Sequence, residues 1–221
     1  MESTKQRIVV IGMGAGIARA VARRFGREGF AVAMIARDEG RLAAYVEEFA
    51  REGIDATYAS ADAGDEGSLR AALRSLRERD GDPDVLVYNA AAIRMVDILE
   101  QGVDELVADF RVNVAGALAA AQEVAPAMRA AGRGTILLTG GGFALMPNPR
   151  FGSLAIGKAG LRNLAHSLAQ ALAPAGVHVA TVTVCGMVRD DDPKYNPTTI
   201  AEHYWALHAQ PPGAFEVELK H

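Results

Sequence analysis

The sequence predicts an α/β fold of the Rossmann type, a doubly wound parallel sheet of about seven strands with helices on both faces. Short apolar runs alternate with longer segments of helical periodicity along the whole chain, which is the pattern of βαβ units. A glycine-rich segment directly follows the first apolar run. Each connection is long enough to cross one face of the sheet in the usual right-handed sense. The chain has 221 residues, of which 50% are hydrophobic, so we expect residues 1–221 to form a single domain.

The apolar runs and the helical segments define the elements in chain order. Strands are predicted at residues 7–11, 31–36, 55–59, 84–88, 134–139, 177–184 and 215–219. Helices are predicted at residues 16–28, 39–52, 66–79, 103–131, 152–173 and 199–210. The polar segment at residues 189–199 is the irregular stretch after the sixth strand, on the carboxyl side where open α/β sheets bind ligands.

The composition excludes several classes of partner. A net charge of −4 provides no basic field for nucleic acid or anionic lipid, so neither partner is expected. The N-terminal sequence MESTKQRIVVIG has only a short apolar run before the glycines, which predicts a cytoplasmic protein without a signal peptide or membrane span. Cys185 is the single cysteine, so neither an internal disulfide nor a cysteine-cluster metal site is expected. Any redox chemistry must come from a bound cofactor, and no metal site is predicted.

The glycine-rich segment opens the first predicted helix with Gly12, Gly14, Gly16 and Ala18. Glycine suits a backbone that turns with positive φ, and it lets a pyrophosphate approach the free N–H groups of a helix N-terminus. A purely structural turn is the alternative interpretation. A strand immediately before the segment, at the start of a βαβ series, favours a dinucleotide-binding turn.

Two segments resemble the short-chain dehydrogenases/reductases. The sequence FGSLAIGKAGLRNL, residues 151–164, resembles the active-site helix of that family, and the spacing of Gly12, Gly16 and Ala18 resembles its GxxxGxG motif. The resemblance extends over nearly the whole chain and implies an NAD(P)(H)-binding Rossmann domain. It also implies hydride exchange between the cofactor and a small-molecule carbonyl or alcohol substrate.

The family's catalytic motif is a tyrosine followed four residues later by a lysine, and this chain keeps only the lysine. Positions i and i+4 lie on one helix face, where a lysine can lower the pKa of a phenol that donates a proton. Lys158 is present, but Leu154 takes the position of the tyrosine and Gly141 that of the family's serine. The resemblance therefore assigns catalytic positions only to Asn113 and Lys158. Asn113 would hold a water and the lysine, although an incidental buried amide is the alternative.

The resemblance also implies a set of cofactor contacts. They are Gly12, Gly14, Gly16, Ile17, Arg37, Asp62, Asn89, Ala90, Lys158, Gly186 and Val188. At Arg37, an arginine suits the 2′-phosphate of NADP through paired charged hydrogen bonds, so NADP is preferred and NAD is the alternative. In the competing interpretation Arg37 is a solvated charge at a helix entry and Asp38 is an N-cap. Asp62 would contact the adenine, or it is a loop carboxylate.

Four side chains are candidates to replace the phenol, and the sequence does not choose among them. Thr139 ends the fifth strand, Cys185 follows the sixth, and Asp190 and Tyr195 lie in the polar segment. An inert thiol at Cys185 and an exposed loop tyrosine at Tyr195 are the ordinary interpretations. The three glycines at residues 140–142 either form a nest for a substrate oxygen or allow close approach of the cofactor, and the second is favoured.

Three functions are compatible with this pattern. The first is an NAD(P)(H)-dependent oxidoreductase with a non-standard proton donor. The second is a catalytically inactive dinucleotide-binding sensor or interaction protein, and the third is a non-redox enzyme that uses the same pocket. In the family, the helices at residues 103–131 and 152–173 form a four-helix interface, and their alanine-rich faces permit such packing, so a homodimer or homotetramer is expected.

Overall fold

Seven parallel strands form one sheet in the computed structural model, which describes residues 5–221. The strands are β1 (Arg7–Ile11), β2 (Ala31–Ala36), β3 (Ala56–Ser60), β4 (Val85–Tyr88), β5 (Gly134–Gly141), β6 (Val177–Val184) and β7 (Glu218–Lys220). Their order across the sheet is β3-β2-β1-β4-β5-β6-β7. The winding reverses between β1 and β4, which creates a crevice at the carboxyl ends of these strands. The predicted fold class is confirmed.

Helices cover both faces of the sheet. They are α1 (Ile17–Arg27), α2 (Glu39–Arg51), α3 (Glu66–Asp80), α4 (Val103–Phe110), α5 (Gly116–Ala131), α6 (Gly152–Leu172) and α7 (Pro197–His208). A π-helical turn, Arg111–Ala115, joins α4 to α5. Within residues 5–221, no helix is long and apolar enough to cross a membrane.

The sheet is buried on both faces, which explains why its strands are continuous apolar runs. Along β1, Val10 packs into a layer with α1, α2 and α7, whereas Val9 and Ile11 pack into a layer with α3, α5 and α6. Successive residues of a strand point to opposite faces, so one strand serves both layers. The two layers together hold the carboxyl ends of β1, β4 and β5 side by side.

The helix predicted at residues 103–131 is interrupted by the π turn. The hydroxyl of Tyr88, at the end of β4, donates to the carbonyl of Val112 inside this turn, so that carbonyl is engaged outside the helix. Gly116 makes the approach feasible, because a Cβ atom there would lie 2.3 Å from the Tyr88 oxygen. The turn places Asn113 toward the loop that follows β4.

The last strand begins three residues later than predicted. The sequence places it at residues 215–219, whereas β7 spans Glu218–Lys220. Phe215 stacks on the ring of His178 with centroids 4.3 Å apart, and the Nε2 atom of His178 lies 2.8 Å from the carbonyl oxygen of Glu216. Phe215 and Glu216 therefore pack against β6 through these contacts and do not continue the strand.

The final helix begins two residues earlier than predicted. Asn196 is its N-cap residue, since the Asn196 Oδ1 atom accepts a hydrogen bond of 2.9 Å from the backbone N–H of Thr199. Pro197 occupies the first helical position, where a missing N–H has no cost. The polar segment after β6 is correspondingly shorter than the sequence indicates.

The two helices that the sequence assigns to an oligomer interface expose apolar side chains. Val103, Val107 and Phe110 on α4, Leu118 on α5 and Ile156 on α6 are between 37% and 73% exposed. The oligomeric state stays a prediction.

Candidate functional site

The turn after β1 brings the backbones of β1 and β4 into contact. Gly12 has a φ of +80°, and a Cβ atom at this position would lie 2.3 Å from the amide nitrogen of Ala90. Only glycine combines this conformation with so close an approach. Asn89 strengthens the contact, because its Nδ2 atom donates to the Gly12 carbonyl at 3.1 Å. The turn therefore lies at the crevice between β1 and β4.

The N-terminus of α1 is open toward this crevice. Gly16 is the N-cap residue, and within residues 5–221 no side chain caps the helix or places an acidic group in its first turn. A Cβ atom at Gly14 or Gly16 would meet no heavy atom within 4 Å among the described residues. Ile17 begins the helix and packs partly against the core. The first N–H groups of α1 are therefore free to bind the oxygens of a phosphate.

A cleft of about 440 Å³ opens at the carboxyl ends of β1 to β4. It is lined by residues 11–13, 35–38, 41, 42, 45, 61–63, 89–93 and 112. Arg37 and Arg41 are both exposed on one wall of the cleft. Asp38 caps α2 by accepting a hydrogen bond of 3.0 Å from the N–H of Arg41, as the competing interpretation expected. Arg37 precedes that helix and also lines the cleft, so the two interpretations of this segment are compatible.

Asp62 follows β3, the strand next to β2, and has two kinds of neighbour. Its Oδ1 atom accepts a hydrogen bond of 2.8 Å from the backbone N–H of Gly64, which makes it a loop carboxylate. It also lines the cleft, together with Asn89 and Ala90. Asp62 is thus placed where a ligand in the cleft would meet it.

Lys158 lies on α6 beside the end of β5. Its Nζ atom donates a hydrogen bond of 2.6 Å to the carbonyl of Thr139, and its side chain is buried. Burial lowers the pKa of the Lys158 ammonium to about 8. Leu154, one helical turn earlier, is 7% exposed and offers no polar atom. A Cβ atom at Gly141 would lie 3.5 Å from the methylene groups of Lys158, so this face of the lysine has room for a small side chain.

Asn113 is buried and its amide is fully engaged. The Oδ1 atom accepts from the N–H of Ala92 at 2.8 Å, and the Nδ2 atom donates to the carbonyl of Ala92 at 3.2 Å. A Cβ atom at Gly157 would lie 2.7 Å from the Asn113 Cβ atom, so α6 passes very close. Within the described residues, the Asn113 side chain is bonded to the loop after β4 and not to Lys158.

A chain of hydrogen bonds links α7 to β1 through the strands between them. The hydroxyl of Thr139 donates to the Oδ1 atom of Asn89 at 3.0 Å, so the hydroxyl of Tyr204, 2.6 Å away, must donate to Thr139. Asn89 in turn donates to Gly12. Tyr204 is fully buried, and burial raises the pKa of its phenol. The Thr139 hydroxyl is therefore committed to the framework of the crevice.

Two of the three glycines after β5 are explained by packing within the protein. A Cβ atom at Gly140 would lie 2.6 Å from the hydroxyl oxygen of Thr181, and one at Gly142 would lie 3.0 Å from the Cα atom of Cys185. Close approach to β6 and to the residue after it, and not to a cofactor, accounts for these two. Gly141 is the member of the three where a Cβ atom would make only ordinary contacts.

The loop after β6 places the other candidate proton donors. Cys185 is exposed and its thiol lies 3.5 Å from the carbonyl of Thr183. Tyr195 packs its ring on Gly186, where a Cβ atom would lie 2.4 Å from the ring, so this glycine too is required for close packing. Val188 packs partly against the core beside them. Asp190 is exposed.

Two residues of this region were not identified from the sequence alone. Arg41 lies in the first turn of α2, four residues after Arg37, and both residues line the cleft. This spacing was a usable sequence signal for two arginines that bind one anion. Tyr204 had no such signal, because its contact with Thr139 joins residues 65 positions apart.

The winding of the sheet reverses at β1 and β4, and an open helix N-terminus and a cleft lie at the ends of these strands. These features define the class of Rossmann-type α/β proteins. The sequence model of the short chain dehydrogenase family matches residues 6–195. The chain belongs to that family, as its motifs predicted.

Individual relatives agree with this assignment. An uncharacterized oxidoreductase of Thermotoga maritima is 31% identical over 175 residues, which cover 79% of this chain and 68% of the relative. A 3-oxoacyl-(acyl-carrier-protein) reductase of Staphylococcus aureus is 29% identical over 194 residues, which cover 86% and 77%. A solved metagenomic short-chain oxidoreductase in complex with NADP has a TM-score of 0.89 at 28% identity, covering 97% of this chain and 95% of that one. A short-chain dehydrogenase from Rhodopseudomonas palustris has a TM-score of 0.87 at 30% identity, covering 98% and 97%.

Proposed function

We propose that the protein is an NADP(H)-dependent oxidoreductase that interconverts a carbonyl and an alcohol. The observation that carries the proposal is the presence of an uncapped helix N-terminus and two exposed guanidinium groups, Arg37 and Arg41, around the crevice. A dinucleotide with an additional 2′-phosphate presents anions suited to both places. The oxidoreductase relatives and the relative solved with NADP support the same assignment.

The residues present fit such a cofactor from end to end. The space that a Cβ atom would fill at Gly14 and Gly16 is open for the pyrophosphate. The adenosine side of the crevice, around Arg37, Arg41 and Asp62, would hold the adenosine and its 2′-phosphate. Residues assigned to the remaining contacts are Gly12, Ile17, Asn89, Ala90, Lys158, Gly186 and Val188. A nicotinamide ring supplies hydride exchange when bound, and the protein supplies position and protons.

Lys158 is the proton donor that we assign on the nicotinamide side of the crevice, the part around Lys158 at the end of β5. Leu154 and Gly141 stand where the family carries its tyrosine and serine, so neither supplies a proton. The amide of Asn113 is engaged on both atoms, and the hydroxyl of Thr139 donates to Asn89. The Lys158 ammonium has three N–H groups, of which the Thr139 carbonyl takes one. Lys158 would give a proton to the carbonyl oxygen and regain one from solvent.

The pKa of Lys158 supports this assignment. A general acid is most effective when its pKa lies near the working pH, and burial lowers the pKa of Lys158 to about 8. An ordinary exposed lysine, with a pKa near 10.4, would release its proton far less readily.

A second candidate function is favoured by the same two positions. Leu154 is buried and apolar, and Gly141 has no side chain. A protein that binds NADP(H) as a sensor or interaction partner, without turnover, needs neither a phenol nor a serine there. The two candidates share the adenosine side and differ only at the nicotinamide side.

One experiment separates these possibilities. Purified protein is stripped of nucleotide and titrated with NADPH and with NADH by calorimetry, and NADPH oxidation is then followed with a panel of aldehydes and ketones. We expect NADPH to bind more tightly than NADH and at least one carbonyl to be reduced. Binding without oxidation of NADPH across the panel would favour the sensor. Binding of neither nucleotide would contradict both candidates.

A further inference from the structure

Two junctions of similar construction join the same three segments beside Lys158. The segments are α4 with its π turn, the loop at residues 89–98 after β4 (the β4 loop), and the start of α6. In the first junction, Asn113 bonds both backbone groups of Ala92 and packs on Gly157 of α6. This junction holds the β4 loop between the two helices.

The second junction lies one helical turn away and is built from charged groups. The guanidinium of Arg94, in the β4 loop, donates to both oxygens of Asp109, from Nε at 3.1 Å and from Nη2 at 3.3 Å. The hydroxyl of Ser153, at the start of α6, donates to the Oδ2 atom of Asp109 at 2.7 Å. Asp109 is 4% exposed and Ser153 is 1% exposed. One buried carboxylate therefore holds a residue from each of the other two segments.

The two junctions lie side by side along the same pair of helices. Asp109 and Asn113 are four residues apart along one helical segment, and Ser153 and Gly157 are four residues apart on α6, so the junctions are successive contacts of the same faces. Leu154 directly follows Ser153, and Lys158 directly follows Gly157. The junctions therefore set where these two side chains lie.

Further backbone contacts hold the β4 loop against the segment that leads into α6. Val96 forms a parallel bridge with Phe151, and the N–H of Ile98 donates to the carbonyl of Pro149 at 2.9 Å. These contacts continue from Arg94 and Ser153 along the same two segments. A carboxylate that holds two N–H groups of one guanidinium and a hydroxyl resists displacement, because losing the guanidinium leaves a buried charge unpaired.

Charge supports the same interpretation. Burial alone would raise the pKa of Asp109, but hydrogen bonds from Arg94 and Ser153 outweigh it and hold the pKa below its ordinary value. Asp109 is therefore ionised at neutral pH. Arg94 also pairs with Glu105 at 3.1 Å on the exposed side, which keeps its guanidinium oriented.

We propose that Asp109 is a positioning residue: through Arg94 and Ser153 it fixes the β4 loop against α6 and so sets the nicotinamide side of the crevice, without affecting the adenosine side. This inference rests on the proposed function, because it assumes that a dinucleotide spans both sides. The adenosine side is formed by β1, β2 and β3, by α2 and by residues 89–93 of the β4 loop, whereas the junction holds that loop at Arg94, beyond the residues that line the cleft.

The test compares a whole dinucleotide with a fragment. Asp109→Asn is titrated by calorimetry with NADPH and with adenosine 2′,5′-bisphosphate, which reaches only the adenosine side. We expect the variant to bind NADPH on the order of tenfold more weakly, which corresponds to about 1.4 kcal/mol, the size of one net hydrogen bond. Its affinity for adenosine 2′,5′-bisphosphate should equal that of the wild type.

Controls separate positioning from a general loss of structure. Asp104→Asn makes the same change at an exposed position of α4 and should alter neither affinity. Ser153→Ala removes one hydrogen bond and leaves the ion pair, so it should lower the affinity for NADPH by a smaller factor than Asp109→Asn. It replaces Asp109→Asn in the test if that variant does not fold. Equal losses for both ligands, or no loss for either, would overturn the positioning role. If the wild type binds both the fragment and NADPH, the proposed function stands whatever the variants show. If the wild type binds neither, the proposed function fails and this inference fails with it.

Discussion

The adenosine and nicotinamide sides of the crevice are built in different ways. On the adenosine side the ligand-facing groups are open or exposed: Gly14 and Gly16 have free space, and Arg37 and Arg41 extend to solvent. On the nicotinamide side, the side chains of Asn113, Thr139 and Lys158 are buried and already hydrogen-bonded within the protein. Lys158 is the one that we assign as the proton donor. The adenosine side thus offers open groups to an anionic ligand, whereas the nicotinamide side consists of hydrogen-bonded groups around the buried amine of Lys158.

In the proposed function, this difference assigns dinucleotide binding and proton transfer to separate parts of the crevice. The groups that we propose to bind phosphate are backbone N–H groups after β1 and arginines after β2, and they lie apart from the residues at the end of β5. A change at Leu154 or Gly141 can therefore alter chemistry while the dinucleotide contacts stay intact.

The largest effect is expected from the combined change Leu154→Tyr with Gly141→Ser. It would introduce a phenol one turn before Lys158 and a hydroxyl beside it, and general acid catalysis contributes about 10²- to 10⁴-fold. We expect kcat for carbonyl reduction, measured as NADPH oxidation, to rise by about 10²-fold, the lower end of that range, because Lys158 already donates a proton. Gly141 can accept the change, since its backbone is extended and a Cβ atom there makes ordinary contact.

Leu154→Tyr with Gly140→Ser provides the matched control for that experiment. A Cβ atom at Gly140 would overlap the hydroxyl of Thr181, so this pair should lose stability and gain less activity than the first pair. If the first pair leaves kcat unchanged, the nicotinamide side has diverged beyond these two groups.

A smaller effect is expected on the adenosine side. Arg37→Asp should lower the affinity for NADPH by about 10- to 100-fold, because a hydrogen bond to a charged group contributes roughly 1.5 to 3 kcal/mol. NADH lacks the 2′-phosphate, so its affinity should change little. Calorimetric titration of both nucleotides measures the difference. Equal losses for the two nucleotides would show that Arg37 does not meet a 2′-phosphate.

The smallest effect is expected from pH. The ammonium of Lys158 has its pKa lowered to about 8 in the ligand-free protein, so it is charged below this pH and neutral above it. Because the charged form makes the stronger hydrogen bonds to ribose hydroxyls, NADPH affinity should fall as pH rises through about 8, by roughly tenfold at most. Calorimetry across this range gives the profile. Lys158→Met should bind NADPH more weakly and without this dependence, and a retained dependence would assign it to another group.

Much of the fold followed from local pattern, and the exceptions have physical causes. The strands were predictable because each is buried on both faces and is therefore a continuous apolar run. The strand predicted at residues 215–219 was displaced by the stacking of Phe215 on His178, a contact between distant residues. The π turn depends on a hydroxyl of β4 reaching Val112, which periodicity cannot reveal.

The candidate site divides in the same way. Gly12 and Arg37 were found because each is defined by its place next to a strand end. The junction at Asp109 was not found, since it depends on three segments meeting. A carboxylate four residues before Asn113, on a helix that packs against α6, was the available signal.

The hydroxyl pair of Tyr204 and Thr139 has a consequence for how this lineage can change. Losing the Thr139 hydroxyl leaves the buried phenol of Tyr204 unpaired, at a cost of about 1 to 3 kcal/mol, whereas losing the Tyr204 hydroxyl leaves Thr139 still bonded to Asn89. The phenol can therefore be lost first, and the threonine hydroxyl cannot. Among related sequences, loss of the threonine is expected only where the tyrosine, 65 residues away, is already gone.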